Sequence, residues 1–172
     1  MKSTAFQVFR LYHLETLAHT KSWRSEATVS AFAQAVNHHS RVVKEGSNLH
    51  VKIGGSYSVP LWAYRYPFKP FEPAKPAGTA LRKTLTHLAM VGGSQIDVVR
   101  QSADAVQEAI AQDGVLRVRF ESPHHKRVFK KALEFPTPYS EIALEPSHKT
   151  DTALWCELTF WAVQLLSILG ET

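Results

Sequence analysis

Residues 49–59 read LHVKIGGSYSV, and this stretch decides the predicted fold. Apolar and polar residues alternate through its first five positions, which is the period of a β-strand. The Gly54-Gly55 pair supplies the positive backbone angles of a tight hairpin and leads into a second strand. A further alternating run, LWAYRY, follows after a proline. The sequence therefore predicts a strand at 49–53 and a second at 56–66, which Pro60 interrupts or bulges between the runs 56–59 and 61–66.

The segments around the hairpin extend this pattern into an α+β fold. Aromatic and β-branched residues alternate across 4–14, which favours a strand there. Ser25 is a helix-capping residue for a first helix, and a second helix runs from Thr79 to a pair of glycines. Another strand is predicted at 95–100. The order strand, helix, strand, strand, helix, strand predicts a ferredoxin-like, split βαβ N-terminal region.

The second half of the chain predicts a helix-rich region that packs on this unit. Helices are predicted at 102–113, 122–133 and 151–169, and short strands at 115–120 and 141–145. The last helix is apolar around most of its circumference, with Glu157 on a narrow polar strip, and such a helix is normally buried. The predicted fold is therefore a single globular α+β unit of residues 1–172. Its sub-lobes are the basic, ferredoxin-like 1–100 and the βα-rich 101–172.

Four prolines interrupt the chain between the hairpin region and the next helix. They stand three residues apart, from Pro67 to Pro76. This spacing predicts an extended, polyproline-like loop at 67–78, which serves as an internal linker or a flexible flap.

Composition and charge narrow the class of protein. The formal net charge is +5, and residues 1–100 carry a balance of +8 against −3 for residues 101–172. The single cysteine, Cys156, excludes an intramolecular disulfide and a multi-cysteine metal site. The N-terminus lacks the apolar segment of a secretory signal, and 153–169 is too polar for a comfortable membrane span. These features predict a cytoplasmic protein with no membrane partner.

The sequence lacks the patterns of the common cofactor sites. It has nine histidines, but no pair with the spacing of zinc ligands on one helix face. It has no phosphate-binding P-loop, no dinucleotide fingerprint and no nucleophile elbow. We therefore expect no metal and no cofactor, and enzymatic activity is the less favoured class.

The strongest functional signal is the stretch SPHHKRVFKKAL at 122–133. Serine before proline marks a helix N-terminus. On a helical wheel the cations group on one arc, opposite an apolar arc that includes Val128 and Phe129. Several cations on one face suit phosphate neutralisation, whereas a solvated outer face is the alternative. The predicted phosphate-binding residues are Arg117, Arg119, His124, Lys126, Arg127, Lys130 and Lys131.

The strand predicted at 61–66 is the second candidate site. Its aromatic residues project from one face, and in an open sheet they would stack on unpaired bases. If helices cover that face, the same rings form core instead. The candidate residues are Trp62, Tyr64, Arg65, Tyr66 and Lys69. With the basic helix they predict a protein that binds single-stranded nucleic acid or RNA, alone or with other subunits of a ribonucleoprotein.

Two other functions remain open. Residues 38–40 and 148–150 each place a histidine two positions before a hydroxyl residue, which resembles the motif of two-histidine phosphoesterases. In that family two imidazoles act as acid and base on a phosphodiester. The resemblance implies catalytic roles for His38, Ser40, His148 and Thr150, against the simpler interpretation of loop histidines and a helix-capping Thr150. The other function is a structural or assembly subunit that acts through the apolar C-terminal helix.

Overall fold

The computed structural model of the protein describes residues 11–43, 51–53, 55–58, 68–76, 84–134 and 148–170. The helices are α1 (Leu11–His19), α2 (Glu26–Val42), α3 (Thr86–Gly92), α4 (Asp97–Ile110), α5 (Pro123–Glu134) and α6 (Asp151–Gly170). The strands are β1 (Val51–Ile53) and β2 (Ser56–Ser58). The chain divides into two compact units, unit 1 (Met1–Phe68) and unit 2 (Lys69–Thr172).

The predicted ferredoxin-like fold is wrong, because the described residues are mostly helical. The described end of the strand predicted at 4–14 belongs to α1, and most of 95–100 is the first turn of α4. The described strands are those of one short hairpin, in which β1 and β2 pair antiparallel with Ile53 opposite Ser56. Two further predicted strands lie outside the described residues, at 61–66 and 141–145.

The strand prediction at 95–100 failed because six residues are too few to distinguish the spacing of a helix face from that of a strand. The buried residues of α4 are Val98, Val99, Ser102, Ala103 and Val106. They recur every three or four positions, which is the spacing of one helix face rather than of a strand. The apolar face therefore begins inside the predicted strand and continues through the helix that was predicted to follow it.

Unit 1 contains α1, α2 and the hairpin. Leu14 of α1 and Val36 of α2 are among its buried residues. Ser25 caps α2 as predicted, in a capping box with Thr28. The Thr28 N–H donates to Ser25 Oγ at 3.2 Å, and Thr28 Oγ1 accepts from the Ser25 N–H at 2.9 Å. Two of the backbone donors at the start of α2, the N–H groups of Ser25 and Thr28, are thus satisfied within four residues.

Unit 2 is organised around α6. The apolar residues that α6 buries are Leu154, Leu158, Trp161, Ala162 and Leu165. The helices α3 and α4 pack against it. Glu157 lies on this buried face, so the predicted polar strip is wrong at that position. The opposite face of α6 exposes Phe160 and Val163.

By length and composition, α6 is also able to cross a membrane, and it is the one such helix among the described residues. Core helices of soluble proteins pass the same test, and 33% of its most apolar window is buried inside the protein. The helix is therefore weak evidence about location, and the cytoplasmic location stays a prediction.

Between α4 and α5, residues 115–120 have no regular secondary structure and no partner strand among the described residues, so the strand predicted there is wrong. The Leu116 N–H donates to Thr159 Oγ1 of α6 at 2.8 Å. The Arg119 N–H donates to the carbonyl oxygen of Pro73 at 2.9 Å. Acceptors from a helix side chain and from the proline-rich loop thus replace the acceptors that a sheet would supply.

The described part of the proline-rich loop, residues 68–76, makes hydrogen bonds to helices of unit 2 near its centre and at its C-terminal end. Phe71 is 1% exposed, and its N–H donates to the buried Ser102 Oγ of α4 at 2.9 Å. At the other end, the Pro76 carbonyl oxygen lies 2.9 Å from Nε2 of His125. Because a carbonyl oxygen can only accept, this contact places a proton on that nitrogen. The loop therefore spans from α4 to the start of α5.

Candidate nucleic-acid interface

The helix α5 begins as its sequence predicts. Pro123 is its first residue, and Ser122 Oγ accepts a hydrogen bond from the His125 N–H at 3.1 Å. Phe129 is buried and anchors the helix to unit 2. Val128 is 51% exposed, so the predicted apolar arc is wrong at this position. The buried side of α5 is thus narrower than the helical wheel predicts.

A cluster of cations lies where the outer face of α5 meets the start of α6. Lys126 Nζ is 2.6 Å from Asp151 Oδ1, and Lys130 Nζ is 3.8 Å from the same oxygen. Lys130 Nζ also donates to the carbonyl oxygen of Lys149 at 3.2 Å. We name this surface the basic patch and define it by Lys126, Arg127, Lys130, Lys131 and Lys149. Two of these five cations, Lys126 and Lys130, share the carboxylate of Asp151.

Asp151 carries a negative charge within this surface. The hydrogen bond from Lys126 lowers the pKa of its carboxyl group below the ordinary value, and the charges of Lys126 and Lys130 add to the effect. Asp151 is also the first residue of α6, where the helix dipole favours an anion. The carboxylate is therefore ionised at neutral pH and offsets one of the five positive charges.

Two exposed arginines contact no carboxylate in the described part of the chain. Arg127 donates to Nδ1 of His124 at 3.1 Å, and both residues are exposed. Arg119 is exposed on the segment before α5. A guanidinium group without a carboxylate partner keeps its donors for a bound anion. Arg127 and Arg119 are thus exposed predicted phosphate ligands whose guanidinium groups have no carboxylate contact in the described part of the chain.

Arg117, by contrast, is already paired with a carboxylate close to it in the sequence. Its two terminal nitrogens donate to the two oxygens of Asp113, at 2.9 and 2.7 Å. These hydrogen bonds lower the pKa of Asp113 and raise that of Arg117. The guanidinium carbon also lies 5.4 Å from the centroid of the Trp155 ring, which is within cation–π range. A phosphate would have to compete with Asp113 for this side chain.

The aromatic residues of the predicted stacking platform fall outside the part of the chain that the structure describes. Trp62, Tyr64, Arg65 and Tyr66 lie outside the described residues. Lys69 is exposed and belongs to unit 2, whereas those four residues belong to unit 1. Base stacking by this segment stays a prediction.

His148 is one member of a buried polar group. Neither His148 nor Glu157 has exposed side-chain surface, and His148 Nε2 lies 2.5 Å from Glu157 Oε2. Trp161 Nε1 donates to the other carboxylate oxygen at 3.3 Å. Both oxygens of Glu157 are thus hydrogen-bonded within the core of unit 2. An imidazole in this position cannot contact a phosphodiester, and its contacts here are structural.

The other residues of the two-histidine motif have ordinary places on helices of their own units. His38 is exposed and Ser40 is half-buried on α2, in unit 1. Thr150 Oγ1 accepts from the Ala153 N–H at 3.2 Å. This bond is the helix cap that the simpler interpretation of Thr150 predicts.

Comparison with known proteins adds no assignment. No family model, curated protein or solved structure matches this chain. Within the described ranges, no group of three potential metal ligands occurs. Function must therefore be inferred from the chemistry of the basic patch.

Sequence reasoning missed two residues at this surface, Lys149 and Asp151. Lysine before a helix cap and aspartate in the first turn are ordinary helix-start features. Lys149 and Asp151 are far from Lys126 and Lys130 along the chain. Nothing in the sequence therefore indicates that the four residues lie together. The stretch at 122–133 could identify only the α5 half of the patch.

Proposed function

We propose that the protein binds nucleic acid through the basic patch, with Arg119 and His124 at its margin. The observation that carries the proposal is the grouping of five cations on one surface, two of which converge on a single carboxylate, that of Asp151. Each cation that contacts a phosphate releases condensed counterions, and these contributions add. A surface of this kind contacts the phosphate backbone and supplies affinity without reading sequence.

The chemistry of the ligand follows from the groups present. Lysine and arginine bind phosphate oxygens through charge-assisted hydrogen bonds, and Arg127 offers a planar group that can donate two in parallel. Single-stranded nucleic acid or RNA is the expected class, because stacking by Trp62, Tyr64 and Tyr66 would add to phosphate binding. Double-stranded DNA is the comparison ligand that tests this choice.

Removing two exposed patch cations is expected to weaken binding and its salt dependence together. For single strands the slope of log affinity against log salt is about −0.7 per phosphate neutralised. The variant Arg127→Gln with Lys149→Gln should therefore flatten the slope by about 1.4 units. The measurement is fluorescence anisotropy of a labelled 20-nucleotide RNA at several salt concentrations.

The matched control for that variant removes two exposed cations outside the patch. Lys21 lies between α1 and α2, and Arg100 lies on α4 in an ion pair with Asp97. The variant Lys21→Gln with Arg100→Gln has the same net charge and should keep the wild-type slope. Equal loss in both variants, or no binding by the wild type at low salt, would contradict the proposal.

A second candidate function, assembly through α6, is favoured by one observation. Phe160 is 48% exposed and Val163 is 51% exposed on the face of α6 opposite the core. Neighbouring exposed apolar side chains of this size are typical of protein contacts. If α6 mediates self-association, light scattering should give an oligomer for the wild type. The variant Phe160→Gln with Val163→Gln should then be monomeric, and a monomeric wild type would contradict this function.

A further inference from the structure

We infer that Asp151 occupies, in the unbound protein, the position that one ligand phosphate takes between Lys126 and Lys130. This inference rests on the proposed function, because it concerns the same basic patch. It assigns a phosphate subsite to two lysines and a competing role to the carboxylate that now lies between them.

The two lysines converge on a single oxygen. They are one helical turn apart on α5, and both approach Oδ1 of Asp151, at 2.6 and 3.8 Å. One carboxylate against two ammonium groups leaves a net positive charge at the subsite. A phosphodiester oxygen satisfies the same donors with the same charge, so it can replace the carboxylate without changing the electrostatic balance.

Lys130 is held in place independently of Asp151. Lys130 Nζ donates to the Lys149 carbonyl oxygen at 3.2 Å, and its side chain is only 16% exposed. That carbonyl belongs to a turn fixed on one side by the buried His148 and on the other by the Thr150 helix cap. The Lys130 half of the subsite therefore keeps its shape when the carboxylate leaves.

Asp151 itself is free to leave. Its side chain is 45% exposed, so rotation towards water does not bury an unpaired charge. It remains in the first turn of α6 after rotation, where the helix dipole still stabilises it. When a ligand binds, the carboxylate of Asp151 thus rotates away and a phosphate takes its place, and the backbone does not change. Asp151 lowers the affinity for every phosphate ligand, because the phosphate must displace it. The relative loss is smallest for a ligand with several phosphates, since its other phosphates bind elsewhere on the basic patch.

The test is the variant Asp151→Asn, which keeps the side-chain shape and removes the charge. With the labelled 20-nucleotide RNA at moderate salt, we expect affinity about tenfold higher and a salt slope steeper by about 0.7, the value of one charge. Asp104→Asn on the exposed surface of α4 is the matched control, and its affinity should rise by less than about twofold. Asp151→Glu keeps the charge and should bind as weakly as the wild type.

A second comparison separates direct competition from a general change of charge. In a background of Lys126→Gln with Lys130→Gln, Asp151→Asn should have almost no effect, because the subsite is gone. An increase of equal size in both backgrounds would overturn the inference. If the wild type binds and Asp151→Asn binds no more tightly than Asp104→Asn, the inference is wrong and the proposed function stands. If neither the wild type nor Asp151→Asn binds RNA, the proposed function fails.

Discussion

Replacing His148 with leucine is expected to lower the free energy of unfolding by about 3–5 kcal/mol. The substitution leaves the Glu157 carboxylate in the core without its imidazole partner, although the Trp161 N–H still donates to it. Neither His148 nor Glu157 has exposed side-chain surface, so water cannot replace the lost contact in the native state. Urea denaturation followed by circular dichroism measures the change. The slope of the unfolding free energy against urea concentration should be the same for the variant and the wild type, so that the two free energies can be compared.

The double variant is the control that isolates the pair. Replacing His148 and Glu157 together by leucine removes both polar groups and keeps side chains of moderate volume, and such exchanges are often neutral or stabilising. We therefore expect the double variant to be more stable than His148→Leu. If His148→Leu loses less than about 1 kcal/mol, or if the double variant is the least stable of the three, the buried pair does not have this energetic role.

Local signals in the sequence predicted helix ends better than they predicted strands. Ser25 and the Ser122-Pro123 pair start helices where expected, because a cap needs only the few residues around it. The segments at 95–100 and 115–120 have the composition of strands, but no partner strand is described for either. A strand forms only where another chain segment pairs with it, and composition does not supply that partner. The ferredoxin-like prediction combined several such segments and failed with them.

Only the α5 part of the candidate site could be predicted from the sequence. The cations of α5 follow from a helical wheel, since their spacing is a property of one helix. Asp151 and Lys149 reach the same surface through the packing of α6 against the rest of unit 2, which has no local signature. The error at Glu157 has the same origin. A lone acidic residue in an apolar helix suggests an exposed strip until its partner, His148, is known.

Phe71→Ala is expected to lower the free energy of unfolding by about 3–5 kcal/mol, the usual loss for a buried phenylalanine. This prediction opposes the sequence-based interpretation of the proline-rich loop as a flexible flap, in which the substitution would have little effect. The neighbouring Glu72→Ala is the control, because Glu72 is exposed and surface changes of this kind stay within about 0.5 kcal/mol. Urea denaturation of both variants decides between the two interpretations, and equal stabilities would contradict a structural role.

The position of the loop also determines what Phe71→Ala does to its neighbours. The Pro73 carbonyl oxygen accepts from the Arg119 N–H, so a loop released at Phe71 leaves that amide without its acceptor. Amide hydrogen exchange at Arg119 should then accelerate by at least tenfold, while exchange at Leu116 should change little, because its acceptor is Thr159 of α6. Unchanged exchange at Arg119 would mean that the loop does not hold the segment before α5. Faster exchange there would show that the segment leading into α5, and with it Arg119, is positioned by the anchoring of a single phenylalanine.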